Sequence, residues 1–172
     1  MTQSVRYETD PAHTFVTFGV RHFKTSTVFG RFDQVAGHVE LDEATHAGTA
    51  EITIDTNSIN SGTPKFDEHL RSDAFFNAAK YPQAHFVGKH FTYAGEQLAS
   101  VEGELTMLGV TRPVTLHGIR FNRYDSPIWK AQVCGGDFET TIKRSQWGMT
   151  WGLDIGVPDD VKLTIQIEAV RQ

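Results

Sequence analysis

Apolar and polar side chains alternate along most of this chain, and that period of two excludes most folds. Val16, Phe18, Val20 and His22 alternate with Thr17, Gly19 and Arg21 between Thr14 and His22. Gly37, Val39 and Leu41 oppose His38 and Glu40, and Ala50, Ile52, Ile54 and Thr56 oppose Glu51, Thr53 and Asp55. Val101, Gly103, Leu105 and Met107 alternate with Glu102, Glu104 and Thr106, and Val161 to Ala169 repeats the pattern against Lys162, Thr164, Gln166 and Glu168. Successive side chains of a strand point to opposite faces, so each segment predicts a strand with one buried face. Turn residues punctuate them at Asp42-Glu43, Asn60-Ser61-Gly62, Ala94-Gly95-Glu96, Leu108-Gly109, Asp125-Ser126-Pro127 and Gly156 to Asp160. The Gly109 turn joins ELTML to PVTLHGIRF and puts Pro113 at a strand start. Sequence-adjacent strands of this kind pair antiparallel. The expected fold is all-β, an antiparallel β-barrel of about eight strands, because closure removes exposed edges and about eight strands leave room for one ligand. A sandwich fits the alternation nearly as well. No repeat, low-complexity segment or linker divides residues 1–172, which predicts one domain.

One segment breaks the period. In GTPKFDEHLRSDAFFNAAKYP, from Gly62 to Pro82, Phe66, His69 and Leu70 fall on one helical face. Thr63-Pro64 is a helix start, Ser72-Asp73 can cap a second short turn carrying Phe75 and Phe76, and Pro82 stops it. A lone aromatic-rich helical insert among strands reads as a lid over something hollow, expected over Pro64–Ala79.

Bulk properties narrow the function. A net charge of −5 argues against nucleic-acid binding, which needs a basic footprint. No apolar run reaches the roughly 18–20 residues that a spanning helix needs. The single Cys134 excludes an internal disulfide and a cysteine-rich metal site. The opening MTQSVRYETDPAH carries no basic or apolar leader region, as expected of a cytosolic protein or of a mature chain whose leader has been removed.

Most of the chemistry-bearing residues have a plainer structural role open to them. His22 falls on an apolar strand face, where a hydrogen-bonded core histidine is the commoner outcome. His69 with Arg71 on the lid is the better candidate for a polar head group, since the guanidinium fork suits a phosphate or carbonyl; its alternative is a surface Arg71 paired with Asp67 or Asp73. The eight histidines show no HxH or HxxxH spacing, and His85 and His90 are expected on opposite faces of a strand, so no metal ligands are nominated. Ser58, Ser72 and Ser145 lie in no GxSxG context and read as turn and capping serines, so no catalytic residue is nominated. Lys143-Arg144 beside Trp147 and Trp151 are too few cations for single-strand stacking. Trp147, Met149 and Trp151 alternate and are expected along one strand as an apolar wall.

Taken in order, these segments resemble the YceI-like family of lipocalin-like, polyisoprenoid-binding barrels. The resemblance runs from about Tyr7 to Val170. It is carried by Tyr7, Asp10-Pro11, His13 and the strand to His22; by Gly30, Phe32 and ITIDTNSI; and by Asp67, His69-Leu70-Arg71-Ser72, Phe75-Phe76 and Tyr81-Pro82. GELTMLGVTRPVTL, Ile142 to Ser145 with Trp147-Gly148-Met149, and VKLTIQIEAV complete it. Phe66 stands where the family often has a basic residue, and Gln146 where it commonly has an acidic one. Both changes lean away from a pyrophosphate and toward a neutral isoprenoid quinone or another long apolar molecule. The resemblance implies a lipocalin-like barrel with an elongated cavity, no catalysis, and no cofactor beyond a bound isoprenoid or isoprenoid quinone. The expected ligand contacts are Phe18, Val20, His22, Phe32, Phe66, His69, Arg71, Phe75, Phe76, Leu105, Trp147 and Met149. A lipid-acting hydrolase or isomerase, and a solid-core stress or interaction protein, are the alternatives. Expected partners are the hydrophobic ligand, transient membrane contact and a second copy in a homodimer, with no nucleic acid. The expected compartment is the periplasm or outside the cell, with the cytoplasm as the alternative.

Overall fold

The computed structural model describes residues 3–172, so the first two residues of the domain expected over 1–172, and of the opening segment read for a leader, lie outside those described. Strands run in chain order as β1 (Ser4–Thr9), β2 (Phe15–Arg21), β3 (Thr27–Phe32), β4 (Val35–Asp42), β5 (Gly48–Asp55) and β6 (Ile59–Asn60). Helix α1 (Pro64–Arg71) follows, then β7 (Gln83–Ala94), β8 (Gln97–Met107), β9 (Val110–Ser126), β10 (Ala131–Lys143) and β11 (Asp160–Arg171). All pair antiparallel in the order β1-β4-β5-β7-β8-β9-β10-β11-β2-β3-β6, and β1 also pairs with β11.

These eleven segments form eight walls. β1 and β2 lie end to end along β11: Tyr7 faces Arg171, and further along Phe15 faces Gln166. β3 and β4 continue one another in the same way, against β2 and β1. β6 continues β5 across the 3-10 turn Thr56–Ser58, with β6 on β3 and β5 on β4. Each wall then neighbours the next in sequence and the last closes on the first, so the fold is a closed eight-stranded antiparallel barrel rather than a sandwich.

The break between β1 and β2 is held by a small polar cluster. Asp10 is buried; its carboxylate accepts the Ala12 N–H at 2.9 Å and lies 2.7 Å from His13 Nδ1, which is 3.7 Å from Glu168. The three residues place potential metal-ligand atoms within 4.8 Å of one another, a grouping that histidine spacing alone does not reveal. Here the carboxylate is already taken up by hydrogen bonds. The Asp10 hydrogen bond, reinforced by the Glu168 charge, raises the pKa of His13 above its ordinary value. Burial pushes Asp10 upward, but the hydrogen bonds from His13 and Ala12 outweigh it and leave its carboxyl below the usual range. The raised His13 contributes stability that is complete below its unfolded pKa of about 6.5 and is lost as pH rises through the folded value; the lowered Asp10 contributes stability above its unfolded pKa of about 4 that is lost as pH falls through the folded one. Melting temperature should therefore decline as pH rises above about 6.5. His13→Gln should remove that component, and parallel melting curves for the two proteins between pH 6 and 9 would contradict it.

Several expectations are corrected. The regular helix ends at Arg71 rather than reaching Ala79, because Ser72 turns its N–H and hydroxyl back onto the His69 carbonyl and takes up an extended conformation. Residues 72–80 are turns, with Asn77 at φ 46°. β9 begins at Val110, so Pro113 sits inside the strand; it is tolerated because β10 pairs with β9 only from His117 onward, leaving one side of Pro113 free of ladder bonds. His85 and His90 are both exposed, since a bulge between Gly88 and His90 resets the alternation. The segment carrying Trp147, Met149 and Trp151 is not a strand but a loop of 3-10 turns, Arg144–Trp147 and Leu153–Ile155, with Gly148 and Gly152 at positive φ.

The inner face is underfilled at one end. Val161 and Leu163 point inward from β11 at that end, yet each is only partly buried. In a packed core such residues lose all contact with solvent-sized space; here they face a hollow.

Candidate functional site

The hollow is a cavity of about 330 Å³ under α1, at the end of the barrel where β2 ends and β11 begins. Of the twelve residues nominated from sequence, Phe18, Val20, His22, Phe32, Phe66, His69, Phe75, Phe76, Leu105 and Met149 line it. α1 supplies Phe66, His69 and Leu70 from the single face that their spacing predicts, and Asp67 pins the helix by accepting the Ser61 N–H at 2.7 Å and its hydroxyl at 2.5 Å. The following turns bring in Phe75 and Phe76. Aromatic rings then run around the wall: Phe18 to Phe32 at 5.9 Å, Phe32 to Phe76 at 5.3 Å, and His69 edge-on to both Phe75 at 5.0 Å and Trp151 at 4.8 Å. Gly30 makes room for this packing, because a Cβ there would lie 2.3 Å from the Phe18 ring.

Two nominated residues are elsewhere. Arg71 does not reach the cavity, and it forms no ion pair with Asp67 or Asp73 among the described residues. The helix ends at Arg71, one position beyond the Leu70 face, which turns its side chain away. Trp147 is fully buried outside the cavity wall, its indole N–H donating to the Leu105 carbonyl at 3.0 Å. Its loop turns through αL at Gly148, so Trp147 and Met149 do not share a strand face. His22 lines the cavity from an exposed 3-10 turn rather than from the buried strand face assigned to it.

The decisive residue that the functional reading passed over is Arg144. It is 3 % exposed, lines the cavity, and has no carboxylate within ion-pair distance among the described residues. Its Nε donates to the Pro158 carbonyl at 2.9 Å, and its two terminal nitrogens donate to Met149 at 3.0 Å and Val157 at 3.3 Å. The guanidinium also lies 5.9 Å from the Phe75 ring centroid. Burial lowers its pKa, opposed by the charge of Asp159, yet a guanidinium remains cationic in any protein. Arg144 is thus a bracket that folds residues 144–159 over the mouth and delivers Met149, Trp151, Ile155 and Val157 to the wall. Neighbouring Ser145 donates its N–H and hydroxyl to Asp159 at 2.8 and 2.7 Å, a capping role; burial pushes the Asp159 carboxyl upward, but these two bonds outweigh it and leave it below the usual range, a weak base. The available signal was the charged residue set between apolar Ile142 and Trp147.

Below the main cavity lies a second chamber of about 100 Å³, walled by residues such as Phe86, Leu98, Phe121, Cys134 and Phe138. The two chambers adjoin, sharing Val16 and Ile54 in their walls, so the apolar space runs from under the lid toward Phe86 and Phe121. Burial pushes the Cys134 thiol up to about 12, so it stays protonated and unreactive. A depression of about 340 Å³ on the outer wall, edged by His13, Arg120, Asp137 and Glu168, is open and carries charged groups at its edge, unlike the inner chambers.

A family model described as the YceI-like domain matches residues 7–169. Protein YceI of Salmonella newport (strain SL254) is 36% identical over 162 residues, spanning 93% of this chain and 83% of that protein. Among solved structures, Burkholderia cenocepacia BcnA superposes with a TM-score of 0.76 at 26% identity, covering 94% of this chain and 99% of that one. The Campylobacter jejuni YCEI protein gives 0.74 at 26% identity, covering 86% of each chain. A polyisoprenoid binding domain from Saccharophagus degradans, implicated in plant cell wall breakdown, shares the fold with a TM-score of 0.68 at 18% identity over 96% of this chain and 98% of that one.

Proposed function

This chain belongs to the YceI-like family, and we propose that it binds a long, neutral, hydrophobic small molecule, an isoprenoid or isoprenoid quinone, and carries or sequesters it without chemical change. The observation that carries the reading is the inward face of β11, where Val161 and Leu163 stand half-buried against an apolar space of about 330 Å³. The Saccharophagus degradans domain described as polyisoprenoid binding shares this fold, which is consistent with the proposal. Tail burial supplies the affinity. About ten methylenes at ~0.8 kcal/mol each give roughly 8 kcal/mol, the scale of a micromolar complex before ordering costs. Polar selection is left to His69 and the mouth, because Arg144 spends its donors on the Pro158, Met149 and Val157 carbonyls. Phe66 presents hydrocarbon where a charge would favour a pyrophosphate. Of the two alternatives, catalysis would have at Ser145 only the Asp159 carboxylate, whose two oxygens are tied to the Ser145 N–H and hydroxyl, and a solid core does not agree with the hollow. We place the protein in the periplasm or outside the cell.

Titration with a short-chain isoprenoid quinone and with the matching prenyl pyrophosphate tests this. Trp151 stands at the cavity and Trp147 does not, so the emission change on binding should vanish in Trp151→Phe and persist in Trp147→Phe. The quinone should bind the native protein more tightly. Phe66→Arg should shift preference toward the pyrophosphate by about tenfold or more, since a charge-assisted bond contributes about 1.5–3 kcal/mol. Unchanged preference would remove residue 66 from the head-group site. Failure of every long apolar ligand to bind, with nothing released by organic extraction of the purified protein, would overturn the function.

A further inference from the structure

We propose that the rim of the cavity mouth is a docking surface for a phospholipid bilayer, through which cargo passes between membrane and barrel. The inference rests on the binding function above and adds the place where exchange occurs. Phe23, Trp151 and Ile155 all line the cavity, yet they are 46%, 45% and 62% exposed. Their apolar surface therefore runs without a break from the inner wall to the outside. Phe29, 64% exposed, adds a further apolar side chain on the outer face of β3.

The hairpin between β2 and β3 is built to hold Phe23 outward. Phe23 and Lys24 both have positive φ, 47° and 59°, a conformation that side chains other than glycine rarely adopt. The turn is locked by His22 donating to the Ser26 carbonyl at 2.9 Å, and by the Thr25 N–H and hydroxyl, both donating to the His22 carbonyl at 2.9 and 2.5 Å. Strain spent on displaying a large apolar side chain beside a ligand cavity is the kind that functional surfaces retain.

The occupant follows from area and charge. A stable protein partner buries about 800 Å² on each side. Aromatic side chains bury about 150–250 Å² each when fully covered, and four half-exposed side chains arranged around an opening fall well short of that area. A bilayer needs only a few apolar side chains inserted at the interface, where Trp is favoured. Around the rim, Arg21 and Lys24 on the hairpin against Asp154 beside Ile155 leave a single net positive charge, and the chain carries −5 overall, too little cation to make anionic lipid the attractant. Docking is apolar, and a zwitterionic surface suffices.

The test is flotation of ligand-free protein with vesicles of phosphatidylcholine alone and with added phosphatidylglycerol. Expected are co-flotation with phosphatidylcholine that survives 0.5 M salt, about as strong on either vesicle, and at least a tenfold weaker partition for Phe23→Ser/Ile155→Ser. Ile128→Ser should leave it unchanged, because Ile128, though 85% exposed, lies in the turn at the far end of β9 from the mouth. In a Trp129→Phe background, brominated lipid should quench Trp151 in the otherwise native protein, a readout that needs no rim variant to fold. No flotation, loss in salt, equal loss in Ile128→Ser, an unquenched Trp151, or a dimer in solution that the rim variant dissolves would each overturn the proposal. Quinone titration run alongside separates the two readings. Normal titration without flotation removes the docking surface alone, whereas flotation without titration removes the binding function.

Discussion

Arg144→Met should lower stability by about 3–5 kcal/mol, the largest loss expected of any single change at the cavity. Three carbonyls, those of Met149, Val157 and Pro158, lose a charged donor together. Each bond to a charged group contributes about 1.5–3 kcal/mol, reduced here because the mouth lets water reach some of the freed carbonyls. For a chain of 172 residues this corresponds to a melting temperature lower by roughly 6–20 °C. The same bracket delivers Met149, Trp151, Ile155 and Val157, so ligand affinity should fall with it. Arg144→Lys should recover little, since a single ammonium cannot span three carbonyls that a planar fork reaches. Urea unfolding and ligand titration on both variants check this. A loss under 1 kcal/mol for Arg144→Met would mean that residues 144–159 hold their fold without it.

Leu163→Trp should separate binding from folding. Leu163 faces Phe18 across the β11–β2 ladder and projects into the cavity, only partly buried because nothing fills the space before it. An indole there occupies the room that the ligand tail needs while removing no existing contact of comparable size. Affinity for an isoprenoid quinone should drop about a hundredfold, close to 2.7 kcal/mol, with stability within about 1 kcal/mol of the native protein or slightly above it. Retained affinity would place the tail elsewhere. A stability loss of several kcal/mol would show that the space is smaller than the structure gives, because overpacking a filled core carries that penalty.

The walls of the site were legible in the sequence because a strand's side-chain direction follows from its period alone. Phe18, Val20 and Leu105 line the cavity as the alternation requires, and Phe66, His69 and Leu70 do so because a helix repeats at three and four residues. The mouth was not legible. Trp147, Met149 and Trp151 alternate as a strand would, but Gly148 and Gly152 take positive φ, and the alternation is coincidence. Phe23 looks like a residue beyond a strand end until the hairpin fixes it in a left-handed conformation at the rim. Arg71 and Arg144 show the same limit for charge. The lid arginine faces away from the cavity, while the loop arginine is buried among carbonyls contributed by residues 5 to 14 positions away.

What the sequence determined by itself was the set of antiparallel strands with one apolar face, the place of the helical insert, and the membership of most wall residues. Those properties are local, fixed by the direction of each side chain relative to its own backbone. Only the tertiary structure decided that β1 closes on β11, that β1–β2, β3–β4 and β5–β6 are single walls, and that Val16 and Ile54 line both chambers of the hollow. It also decided which arginine is buried and which aromatic side chains reach solvent at the rim. Closure, partition and burial depend on which distant segments meet. The free energy that selects among those meetings, apolar area removed from water and buried donors matched to acceptors, is a property of the assembled barrel and of no segment within it.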